Sequence, residues 1–155
     1  MNQDLLTVEQ TKSLDQAIVA IAELEALTES FAEFFNLDGR KIEEIAKNYS
    51  KRKYDAKVLL NRVKLNIEEV QTVLSCLEGK YWFFYNEKHP RELSTKDIQM
   101  YIAAVPEVVS VRQILVNLNF VKGKYESILD ALDSMNWMIS NIVKLRVEQL
   151  KDEIL

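Results

Sequence analysis

The stretch "VRQILVNLNFVKGKYESILDALDSMNWMISNI", residues 111–142, decides the fold. Val111, Leu118, Tyr125, Leu132 and Ile139 stand seven residues apart. Ile114, Val121, Ile128, Met135 and Ile142 form a second row three residues on. Two apolar rows at this spacing stay on one side of an α-helix, whereas a strand would turn alternate residues to opposite faces. The first eight of these ten residues, Val111 to Met135, are the expected helix-packing or oligomer seam. Asn136 tolerates left-handed backbone better than most residues, so a bend near "SMNWM" (134–138) is expected.

Working outward, Pro106 suits the first turn of this helix, which is expected over 106–151. Ser94 and Asp97 have the spacing of a capping box, and predict a short helix over 95–104. His89-Pro90 closes the preceding segment. That segment, 40–86, has one glycine and no proline. It carries the rows Ile42, Tyr49, Ala56, Val63, Val70, Leu77, Phe84 and Ala46, Leu60, Ile67, Leu74, Tyr81, broken by Lys53. One long helix is predicted, with a kink where the rows weaken at "KNYSKRK" (47–53). Roughly 70 Å of helix at about 1.5 Å per residue implies hairpins or an oligomer. A further amphipathic helix is read over about 4–35, from Leu14, Ala17, Ile21, Leu24, Thr28, Phe31 and Phe35. In "NLDGR" (36–40), Asp38 is expected to cap the next helix and Gly39 to relieve the turn. The expected class is all-α, with long amphipathic helices in helical-hairpin or coiled-coil-like packing, and oligomeric. The chain divides into an acidic N-terminal helix, 1–38, and a helical body, 39–155.

Composition narrows the chemistry. The 155 residues hold three Gly, two Pro, one Cys and one His. The lone Cys76 falls inside an apolar pattern and reads as a buried, inert thiol in a reducing, cytoplasmic setting. No apolar run is long enough to span a bilayer, and the N-terminus lacks the pattern of a secretion signal, so no membrane partner is expected. No Gly-rich phosphate loop, GxSxG, CxxC or HExxH occurs, so no enzyme, cofactor or metal is expected.

Charge is unevenly placed. The net charge of −4 combines −7 over residues 1–39, +6 over 40–64, balance over 65–125 and −3 over 126–155. A basic strip on a helix is suited to phosphates, although a solvated face is the commoner fate of such a run. Lys47, Lys51, Arg52, Lys53, Lys57, Arg62, Lys64 and Lys80 are the candidate contacts. Arg52 and Lys53 fall on or beside the apolar rows, where a core has little use for them. In "GKYWFFYNEKHPRE" (79–92), Tyr81 and Phe84 continue the rows and are expected in the core. Trp82, Phe83 and Tyr85 then face a base, another subunit or another helix.

From "KRKY" (51–54) through "KYWFFYNEK" (80–88), "LSTKDIQMYIAAVPEVVSVRQIL" (93–115) and "ALDSMNWMISNIVKL" (131–145), the order and spacing of blocks resemble the UvsY-type phage recombination mediators. The resemblance covers about residues 45–147. The chain departs from the family in having Met135-Asn136 where relatives have Arg-Gly. It also has Lys80 alone where relatives place a Lys-x-Arg pair. The resemblance implies a ring-like homo-oligomer of six or more subunits that binds single-stranded DNA. Such a protein helps a RecA-like recombinase replace single-strand-binding protein and hydrolyses no nucleotide. The rival reading is an oligomeric coiled-coil adaptor without DNA affinity, and a third has the acidic segment masking the basic strip.

Overall fold

The computed structural model describes residues 5–152. Within them all regular structure is helical: α1, Val8–Phe35; α2, Ile42–Glu87; α3, Thr95–Ala104; and α4, Pro106–Asp152. α1 begins at Val8, inside the expected span, because Thr7 and Gln10 form a reciprocal capping box. The Gln10 amide donates to the Thr7 hydroxyl at 3.1 Å, and the Thr7 amide to the Gln10 side chain at 3.0 Å. Ser94 and Asp97 cap α3 in the same way, and Pro106 opens α4, where its missing N–H costs no bond.

α2 and α4 run antiparallel. Arg112 pairs with Glu78 at 2.7 Å near one end, and Tyr49 donates to Asp133 at 3.0 Å toward the other. α1 lies across both, antiparallel to α2 and parallel to α4. Along it Glu23 meets Arg62 at 2.9 Å and Glu25 meets Lys124 at 2.6 Å. α3 crosses the far end at 72° to α4 and buries Ile98 and Ile102. The long helices therefore fold back on each other, and the acidic N-terminal helix shares their core.

The α4 seam is filled within the chain: Val111, Leu118, Val121, Tyr125, Leu132, Met135 and Ile139 are buried, with Ile114 and Ile128 half-buried. On α1 the buried set is Leu14, Ala17, Ala20, Leu24, Phe31 and Phe34. Ile21, Thr28 and Phe35, expected on the seam, are only half-buried. α1 packs against two helices at once, so its buried arc is wider than a coiled-coil seam and displaced from it.

Five expectations are corrected. α2 is unbroken through 47–53, because Lys53 is satisfied by Asp133 and does not interrupt the helix. At its start Ile45 is buried and Ala46 exposed. Asp38 caps nothing: the N-cap is Lys41, and the Asp38 amide instead donates to Asn36 Oδ1 at 3.1 Å. Gly39 does take the left-handed turn, with φ of 71°. Asn136 is helical, since Gly39 is the one described residue with positive φ. Cys76 is exposed, because it lies one position before buried Leu77 and turns outward.

Candidate nucleic-acid interface

The first half of α2 presents an outward face opposite buried Ala56, Leu60, Val63 and Ile67. At about 100° per residue, Lys47, Lys51, Tyr54, Val58 and Leu65 share that face, with Lys57 and Lys64 along one flank. All four lysines are exposed, and none forms an ion pair among the described residues. Tyr54 is 67% exposed, Val58 46% and Leu65 60%, so apolar and aromatic groups alternate with ammonium groups. Tyr54 escaped the sequence reading, although its position seven residues after Lys47 is the signal that places it here.

The other four predicted cations are engaged within the chain. Lys53 Nζ bonds Asp133 Oδ1, the oxygen that also accepts from Tyr49. The hydrogen bond from Lys53, then that from Tyr49, holds the Asp133 carboxyl below its ordinary range. The same bond to Asp133 raises Lys53, while burial and then Asp133 raise Tyr49. Arg62 is paired with Glu23, and Lys80 donates to the Leu5 carbonyl at 2.6 Å. Arg52 lies over the rings of Phe31 and Phe34, 5.9 and 5.7 Å from their centroids. The basic strip thus separates into four free lysines and four cations that serve the α1–α2 and α2–α4 contacts.

The aromatic run divides similarly. Tyr81 is buried, and its hydroxyl donates to Glu107 at 3.2 Å; burial, then Glu107, pushes it up to about 12. Phe84 is half-buried, less than the core position expected. Trp82 is half-buried in a groove with Gly79, Gln99, Ile102 and Arg112. Tyr85 stacks on Tyr101 of α3, with ring centroids 5.5 Å apart and 22° between planes. Of the three rings offered as stacking or interface groups, only Phe83 is open to solvent, at 54%.

No group of three or more His, Cys, Asp or Glu side chains among the described residues could hold a metal ion. No single helix among them is long and apolar enough to cross a membrane. No protein-family model, curated protein or solved structure matches the chain.

Proposed function

We propose that the protein binds single-stranded DNA along the outward face of α2 and acts as a recombination mediator. In that role it helps load a RecA-like recombinase in place of single-strand-binding protein. The observation that carries the reading is the set of unpaired lysines, Lys47, Lys51, Lys57 and Lys64, interleaved with exposed Tyr54. Ammonium groups free of carboxylates can exchange water for phosphate without first breaking an ion pair, and an exposed ring offers a base a face on which to stack. The resemblance to UvsY-type mediators supplies the recombination context. Anisotropy of labelled oligo-dT tests the first step: a salt-sensitive rise is expected, and a flat trace at micromolar protein in low salt refutes it. The second step is read as faster loading of a RecA-like recombinase onto strands pre-covered with single-strand-binding protein.

A second reading, an oligomeric helical adaptor, is favoured by the far end of α4. α2 begins at Ile42, and the Tyr49–Asp133 register leaves α4 without an antiparallel neighbour past about residue 140. Exposed Leu145, Val147 and Leu150 lie there. Such a surface suits contact between subunits, which a ring-like mediator also needs. Light scattering separates the cases. An oligomer disrupted by Leu145→Glu together with Leu150→Glu, and without DNA affinity before or after, supports the adaptor alone.

A further inference from the structure

Arg52 stands beside the apolar rows of α2, yet it does not do what Lys53 does next to it. Lys53 finds a carboxylate and a phenol; Arg52 finds two phenyl rings and no acceptor. Its guanidinium is held by Phe31 and Phe34 at the elbow where α1 gives way to α2. There it borders a cleft of about 270 Å³. Arg40, from the connecting turn, and Lys51, one residue before Arg52, line the same cleft. None of the three cations forms an ion pair among the described residues.

We propose that this elbow cleft is a phosphate-binding pocket. The guanidinium of Arg52 already lies over the rings of Phe31 and Phe34, so less of its freedom remains to be lost when an anion arrives. Two parallel N–H donors match two phosphate oxygens, and Arg40 and Lys51 reach the others from the rim. Glu44 and Asp55 also line the cleft, so its net charge is only about one positive unit. Directed hydrogen bonds rather than bulk attraction therefore select the ligand, which favours a compact oxyanion over chloride. Lys51 also belongs to the outward face of α2, so the pocket opens where that face begins. Naming a nucleic acid as the carrier of the phosphate rests on the DNA-binding reading; the pocket itself does not.

The test is a titration of the full chain with inorganic phosphate at ionic strength held constant with chloride, followed by amide correlation spectra. Saturable shifts at Asn48, Lys51 and Arg52 are expected. Affinity should fall roughly tenfold in Arg40→Ala and in Arg52→Lys, which keeps charge and loses the fork, but should hold in Lys96→Ala on α3. Absence of saturable shifts up to tens of millimolar phosphate overturns the pocket. Oligo-dT with and without a 5′-phosphate separates the sources. An advantage for the phosphorylated strand that Arg40→Ala abolishes assigns a terminal phosphate. Equal binding of both strands, weakened by Arg40→Ala, assigns an internal one. Phosphate shifts without any DNA binding keep the pocket and remove the DNA reading, whereas DNA binding without phosphate shifts does the reverse.

Discussion

The hydroxyl of Tyr125 donates a 2.6 Å hydrogen bond to the main-chain carbonyl of Leu24, inside the contact between α1 and α4. Phe31 meets the same ring edge-on, with centroids 6.3 Å apart and planes at 87°. A phenol on the apolar seam thus carries its own polar tip to an acceptor on the neighbouring helix and fixes how α1 sits along α4.

Replacing Tyr125 by Phe keeps the ring and removes the bond. Stability should fall by about 1 kcal/mol, the usual net value of a hydrogen bond, visible as a lower urea midpoint at unchanged slope. A midpoint equal to that of the wild type would mean that the bond contributes nothing to docking.

Alkaline pH should act through two phenols. Burial pushes Tyr125 up to about 12, and burial followed by Glu107 does the same for Tyr81, against about 10 in an unfolded chain. Both groups stay protonated in the fold while the unfolded chain loses its protons. Stability is therefore level below about pH 10 and declines between about 10 and 12. Denaturant midpoints across that window should fall less steeply in Tyr81→Phe and in Tyr125→Phe.

Acid acts through Asp133. Its lowered carboxyl contributes stability above the ordinary aspartate range near 4, and that contribution is lost as pH drops through the folded-state value. Asp133→Asn should be less stable than wild type at neutral pH, and the two should converge in acid. Because both partners are partly solvated, added salt should shrink the neutral-pH difference.

DNA affinity should follow the count of free lysines. Four neutralised phosphates on a single strand correspond to a slope of about −3 in log affinity against log salt. Replacing Lys47, Lys51, Lys57 and Lys64 by Gln should flatten the slope by about that amount. Replacing Arg62, whose charge is already paired with Glu23, by Gln should leave it nearly unchanged.

Much of the architecture was legible because its signals are local. The α3 capping box needs two residues three apart, and the rows of α4 need only a regular period, so both survive without knowledge of neighbours. The start of α1 was missed because the Thr7–Gln10 box competes with an apolar pattern that continues past it. α2 runs on through "KNYSKRK" for a non-local reason: the acceptor of Lys53, Asp133, lies eighty positions away. The candidate site was legible as a strip but not as a face. Arg62 and Lys51 look alike in sequence, and only the placement of Glu23 separates them.

The sequence by itself determined four helices, their apolar sides and where charge accumulates, since helical period, capping and composition are properties of neighbouring residues. Only the tertiary structure decided that the acidic helix docks in cis and that half of the basic strip is spent on contacts within the chain, with α1 and its approach and with α4. It also turned Tyr85 toward Tyr101, and left Arg52 over the rings of Phe31 and Phe34 without an acceptor. Each of these depends on which helix lies against which. That is set by packing summed over the whole core rather than by any one segment's preference.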